Sequence, residues 1–223
     1  MLKSMKKITI YFLLLFVGIS TNNFAQTNAA KKLLDEVSAK MTSYTNMKIV
    51  FNSSLSNEEA GIKEGDEPPM RGTIFLEGEK YNLNYIGSNF IFDGKKLYVI
   101  NHDEKEIAIN DSDFDDEDGF IYPSKLLTFY KEGYTYKLGK VTTVKGKKIQ
   151  LVALTPIDSN SDIVKVELSI ELKTKHIYKL AQIGSNSAKT TFTIISLKGN
   201  QALPKDTFTF NKESYLKKNY IID

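Results

Sequence analysis

The chain has 223 residues, no cysteine, no tryptophan and a single arginine, with 30 Lys+Arg against 27 Asp+Glu. One domain with a core of its own fits that length, and the missing cysteine excludes disulfides, thiol catalysis, cysteine metal sites and a lipidated N-terminal cysteine. Lys3, Lys6 and Lys7 carry the whole cationic excess, so the rest of the chain is formally neutral and has no electrostatic footprint for nucleic acid.

Those three lysines precede an apolar run, Ile8 to Ile19, and Asn22-Asn23-Phe24-Ala25 then leads into Gln26. A basic region, an apolar region and a small residue in that order predict a secretory signal peptide over 1–25, cut after Ala25. The apolar run is about a dozen residues, short of the roughly 20 needed to span a bilayer. The remainder, 26–223, reads as one exported, soluble domain of the periplasm.

A helix is predicted from Asn28, a favourable N-cap. Leu33, Val37 and Met41 repeat at i, i+4 and i+8, and Ala30, Leu34 and Tyr44 widen the stripe. A strand follows around Met47, Ile49, Phe51 and Leu55. Asn57 to Met70, acidic and carrying Pro68-Pro69, is a surface loop.

Arg71 to Asn110 is a meander. Tyr81, Leu83 and Tyr85 alternate with Asn82 and Asn84, and Phe90 and Phe92 flank Ile91. Asp93-Gly94-Lys95-Lys96 turns the chain back into Leu97-Tyr98-Val99-Ile100. Period-two alternation marks strands with one buried face, and Asp-Gly between apolar runs is a hairpin signal. Glu106 to Ile109 is a further strand, and Asp111 to Gly119 is an acidic loop.

Pro123 opens a short apolar helix with Leu126, Leu127, Phe129 and Tyr130, stopped by Gly133. Strands resume at Tyr134 to Leu138, near Val141, and at Ile149 to Leu154. From Ile163 to Leu172 alternation is at its cleanest, and Ile177 to Ile183, Thr190 to Leu197 and Thr207-Phe208-Thr209-Phe210 complete the run. This makes about 10–11 strands on hairpin-length turns, hence an antiparallel sheet. So many consecutive strands curl toward closure. The fold class is mainly β (α+β): a curved, incomplete antiparallel barrel with an N-terminal helix and a short helical lid across its mouth, enclosing an apolar space.

Candidate chemistry is sparse. Asp111, Asp113 and Asp115 have the 1-3-5 spacing of a calcium loop, but Asp116 stands where glycine is needed and Tyr122 where glutamate is, so a solvated acidic turn is the better reading. The two histidines, His102 and His176, lack metal-ligand spacing. Asn101-His102-Asp103-Glu104 contains an acid–base pair, and it is also an ordinary polar turn. There is no Gly-x-Ser-x-Gly elbow, phosphate-binding glycine loop or His-Glu-x-x-His. The sequence therefore predicts no enzyme and no metal. The remaining signal is 13 Phe and 12 Tyr, which by composition alone suit a β core as well as a cavity.

Taken in order, several segments resemble the periplasmic outer-membrane lipoprotein carrier family (LolA-like). They are the helix from Ala30 to Val37, the strand around Phe51, Gly72 to Leu76, Tyr81-Asn82-Leu83, Phe92 to Val99, Leu151 to Pro156 and Thr207 to Phe210. The resemblance covers almost all of 26–223. It implies a hydrophobic cavity and a carrier or chaperone that takes acylated lipoproteins, or related lipid cargo, from an inner-membrane release complex to an outer-membrane acceptor. It implies no cofactor and no covalent chemistry, and the expected state is a monomer. On this resemblance the cavity wall is assigned to Phe51, Tyr81, Leu83, Tyr85, Phe90, Phe92 and Tyr98, and the lid to Leu126, Leu127, Phe129 and Tyr130. One departure stands out. Gly78-Glu79-Lys80 replaces the Lys-Arg-Pro that well-known members carry before the matching strand, leaving Lys80 as the nearest polar latch. The alternative function is a non-enzymatic envelope assembly factor that binds a peptide or protein partner at a sheet edge.

Overall fold

The computed structural model describes residues 26–111 and 123–223. The expected signal peptide and most of the acidic loop with its calcium-like spacing lie outside the described residues.

Helix α1 (26–42) presents Ala30, Leu33, Leu34, Val37 and Met41 on one buried stripe. Asn28 lies inside the helix rather than capping it, because the described helix already runs from residue 26. At the other end Thr42 and Ser43 turn their hydroxyls back onto the carbonyls of Ser38 and Lys40 (2.7 and 2.6 Å). Such local bonds compete with further helix.

Twelve strands form one sheet: β1 (Met47–Ser56), β2 (Met70–Glu77), β3 (Lys80–Tyr85), β4 (Ser88–Phe92), β5 (Leu97–Asn101), β6 (Glu106–Asn110), β7 (Tyr134–Val144), β8 (Lys147–Pro156), β9 (Ile163–Glu171), β10 (His176–Gly184), β11 (Lys189–Gly199) and β12 (Ile221–Ile222). Across the sheet the order is β12-β6-β5-β4-β3-β2-β1-β11-β10-β9-β8-β7. Two meanders, β1–β6 and β7–β11, are therefore joined where β1 meets β11, and the sheet stays open between β7 and β12. Every neighbouring pair is antiparallel except β12 with β6, which is parallel. This two-residue strand carries no pattern that could announce it.

The register places the inner face. Tyr81 lies opposite Phe92 and Leu83 opposite Phe90. Ile49 lies opposite both Ile74 and Leu197, and Leu180 opposite Phe192. Around the helix stripe these inner-facing side chains form the main core with Val152, Leu154, Val166, Leu168 and Ile170. The Asp93 turn supports the register from its own side chain: Oδ1 accepts from the backbone N–H groups of Lys95 and Lys96 (2.8 and 2.9 Å), with Gly94 at φ +96°. Burial works against ionisation of this carboxyl, yet those N–H bonds hold it below its ordinary pKa.

Two elements differ from the sequence reading. Pro123 to Gly133 is not a continuous helix but two 3₁₀ turns, Pro123–Lys125 and Phe129–Lys131. Its backbone closes i→i+3 bonds, such as Thr128 to Lys125 at 2.9 Å, in a stretch where Thr128, Phe129 and Tyr130 have modest helix propensity. Thr207 to Phe210, expected as the terminal strand, is turn and irregular chain. Its backbone bonds go locally, from Thr207 to Pro204 (3.1 Å) and from Thr209 to Asp206 (3.0 Å). The segment crosses the outer face of the sheet, where Phe210 stacks on Tyr98 with ring centroids 4.4 Å apart. There a second, smaller cluster forms around Ile91, Ile100 and Ile107, closed by Tyr215 and Tyr220 around the short helix α2 (Lys212–Leu216).

Candidate functional site: an apolar cavity inside the open barrel

Between α1 and the inner face of the sheet lies a cavity of about 390 Å³, within the size range of small-ligand sites. Strands β1 to β4 contribute Ile49, Phe51, Ile74, Tyr81, Leu83, Tyr85 and Phe90. Strands β10 and β11 contribute Ile177, Leu180, Gln182, Phe192, Ile194 and Leu197. Met41 of α1, Pro123 of the first 3₁₀ turn and Leu126 just after that turn complete the wall. No lining side chain is charged.

Glycine shapes this wall at one point. Gly72 lies opposite Phe51, and a Cβ there would stand 2.2 Å from the ring. Only a bare backbone lets the Phe51 ring lie across β2 and meet Tyr85 and Phe192 (centroids 5.6 Å in each case). Tyr85 in turn places its hydroxyl 2.6 Å from that of Ser53.

The structure brings five of the seven proposed wall residues to the cavity: Phe51, Tyr81, Leu83, Tyr85 and Phe90. Phe92 faces inward but lies beyond the cavity, packed on Tyr81 at 5.7 Å within the core. Tyr98 is on the opposite face. Phe92 pairs with Leu97, so Tyr98 falls in register with Ile91 and Ile109 and points outward onto Phe210. A hairpin register differing by one residue exchanges the faces.

Of the proposed lid, Leu126 alone reaches the main cavity. Leu127, Phe129 and Tyr130 pack between the 3₁₀ segment and Leu34, Val37 and Leu168. Tyr130 is the fastening. Its hydroxyl donates to Asp35 Oδ1 (2.9 Å), while Asp35 Oδ2 accepts from Lys31 Nζ (2.9 Å), and the Tyr136 hydroxyl donates to the Tyr130 carbonyl. Burial, with Asp35 adding to it, pushes the Tyr130 phenol up to about 12. The Lys31 bond first, and the Tyr130 bond with it, outweigh partial burial and lower the Asp35 pKa. Asp35 is half exposed, so solvent screens its share. Tyr130→Phe is expected to cost about 1 kcal/mol, read as a lower urea midpoint at unchanged slope. Because Asp35 ionises more readily in the folded state, this contribution is present above its unfolded pKa and fades as pH falls through the folded one. The wild-type and Tyr130→Phe midpoints should therefore converge in acid.

Lys80 does not reach the cavity. It is exposed at the start of β3 and lies over Gly94 of the next hairpin. Arg71 is opposite Asn52 on the outward side of β2. His102 is exposed, with Nδ1 2.9 Å from the Tyr220 hydroxyl, and the backbone N–H of Asp103 is held by Asn101. His176 lies 3.0 Å from the Tyr44 hydroxyl where α1 gives way to β1, and burial lowers its pKa. Among the described residues no cluster of His, Cys, Asp or Glu is able to hold a metal, and no helix is long and apolar enough to cross a membrane.

Sequence reasoning missed the far wall. Leu180, Phe192 and Ile194 show the same alternation as Tyr81 to Phe90, but nothing local says that β11 closes onto β1. That pairing joins Met47 to Gly199.

The architecture is an incomplete antiparallel barrel wrapped on a helix, with an apolar cavity between them. The chain is similar to the crystal structure of an uncharacterized conserved protein from Thermus thermophilus, with a TM-score of 0.58 and 8% identity over 87% of this chain and 98% of that one. It is also similar to the LolA superfamily protein NE2245 of Nitrosomonas europaea (TM-score 0.41, 12% identity, 81% of this chain and 97% of that one). A third similar structure is lipoprotein LppX of Mycobacterium tuberculosis (TM-score 0.45, 13% identity, 78% and 98%). No protein-family model and no curated protein sequence matches the chain.

Proposed function

We propose that the protein is a non-enzymatic carrier that holds acyl chains of lipoproteins, or of related lipids, in this cavity and moves them through the periplasm from inner to outer membrane. The observation that carries the reading is a space of about 390 Å³ walled, apart from Gln182, by apolar and aromatic side chains, without one charge, inside an otherwise packed core. Packed cores do not retain such spaces without cost. An acyl chain of about fifteen carbons loses on the order of 12 kcal/mol on entering water, at about 0.8 kcal/mol per CH₂, and an apolar wall offsets that loss. The sequence resemblance points the same way, and so does the leader expected over 1–25. An inner-membrane release complex and an outer-membrane acceptor are the partners this role requires.

A methylene is about as large as a water molecule, whose share of liquid volume is ~30 Å³, so the cavity as it stands holds on the order of a dozen methylenes, or one chain. Multiply acylated cargo requires it to widen. Lys80 lies outside the cavity and is discarded as the latch. The parts able to move are those outside the sheet, α1 and the 3₁₀ segment pinned by Tyr130 to Asp35.

The experiment is extraction. Purified protein is mixed with vesicles bearing a triacylated lipopeptide, and the vesicles are pelleted. Lipopeptide in the supernatant as a defined complex with the protein is the expected result. Lipopeptide that stays wholly with the vesicles, at any protein excess, overturns the reading.

A further inference from the structure

The cavity has a direction. Along β1 the inner-facing series runs Ile49, Phe51, then Ser53, and on β10 Leu180 is followed by Gln182. Strand β11 runs Ile194, Phe192, then Thr190, by the same register. On β10 and β11 the change from apolar to polar falls at the same level, because Leu180 pairs with Phe192 and Gln182 with Thr190, and on β1 it comes one pair earlier, at Ser53 opposite Phe192. The opposite end, under Met41 and Leu197, is apolar throughout. Gln182 is 3% exposed, and it lines both the cavity and an adjoining polar recess formed by Asp162, Ser185, Asn186 and Thr190.

We propose that Gln182 marks where the ester or amide linkage of the cargo lies, with the acyl chain running toward Met41, and that the site selects chains joined through a neutral carbonyl over free fatty acids. The inference rests on the carrier reading above and adds its chemistry. A glutamine side chain offers two N–H donors and a carbonyl acceptor, which suits an ester or amide and leaves both partners neutral. A carboxylate at the same place has no cation to meet: the cavity lining holds no Lys, Arg or His, and the one ionisable group of the recess is Asp162, itself acidic. An ion brought there without a partner is strongly disfavoured. Length alone makes no such distinction, since palmitate and a palmitoyl ester share the same chain.

The test is displacement of N-phenyl-1-naphthylamine from the purified, delipidated protein by 1-monopalmitoylglycerol and by palmitate at pH 8. Monopalmitoylglycerol should act at a concentration roughly tenfold or more below that of palmitate, as burial of an unpaired carboxylate demands. Gln182→Met, similar in shape but without the amide, should weaken monopalmitoylglycerol about tenfold, the size of one lost buried hydrogen bond, and by clearly more than it changes the affinity for naphthylamine, which has no carbonyl to bond. Equal potency of the two lipids on the wild-type protein overturns the proposal, whether or not the variant folds. So does a Gln182→Met variant that weakens the naphthylamine probe and monopalmitoylglycerol alike. Absence of any naphthylamine binding overturns the carrier reading itself and this inference with it, so the two failures are distinct.

Discussion

Ile194→Trp is expected to abolish uptake of an apolar probe while leaving the melting temperature unchanged or higher. Ile194 lines the cavity from β11, opposite Phe51 on β1. An added indole has room there. It buries apolar surface worth about 1.5–3 kcal/mol for a large side chain and removes part of a void that costs stability. The same kind of enlargement in tightly packed core has the opposite sign. Val152 is fully buried between β7, β8 and β9, and Val152→Phe should destabilise by about 1–3 kcal/mol through overpacking. For a domain of this size that is a fall of roughly 2–4 °C per kcal/mol. A thermal melt with a parallel probe titration reads both. Equal destabilisation by the two substitutions would show that the cavity is ordinary core.

Leu34→Ala should be the most destabilising single truncation in α1, by about 2–5 kcal/mol. Its side chain is 1% exposed and belongs to the main core, so truncation removes contacts on every side. Met41→Ala, about two turns further along the stripe and at the cavity, should fall at the low end of that range, because part of its surroundings is already empty. It should also admit a longer chain. Urea denaturation orders the two variants, and a series of alkyl glycerides of increasing length shows whether Met41→Ala shifts the preferred chain upward.

Much of the fold was legible because its signals are local. The α1 stripe, the Asp93-Gly94 turn and the alternation from Ile163 each need only a few neighbouring residues to be read, and each lies where the pattern placed it. The errors also have physical causes. The resemblance places Tyr98 on the wall, but the turn at Asp93-Gly94 sets Leu97, not Tyr98, opposite Phe92, so Tyr98 faces outward. Thr207 to Phe210 alternates like a strand, yet its aromatic partner is Tyr98 on the outer face rather than a neighbouring strand. The 3₁₀ segment carries a helical apolar pattern over only a turn or two, too short to stand as a helix on its own. Half of the cavity was illegible for a different reason. It exists because β1 and β11 pair across some 140 residues, and periodicity within a window carries no information about that closure. Gln182 is in the same position: as sequence it is one polar residue in a strand, and its meaning comes from what the curved sheet places around it.

On the carrier reading an acyl chain enters this cavity and no other apolar surface of the molecule. Isotope-filtered nuclear Overhauser spectra of the methyl-labelled protein with an acyl lipid test it directly, since both faces of the sheet carry isoleucine. Contacts from the chain to Ile49, Ile194 and Leu180, with none to Ile91, Ile100 or Ile107 of the outer cluster, are the predicted result. Contacts confined to the outer cluster, or none to the cavity methyls at saturating lipid, would contradict it.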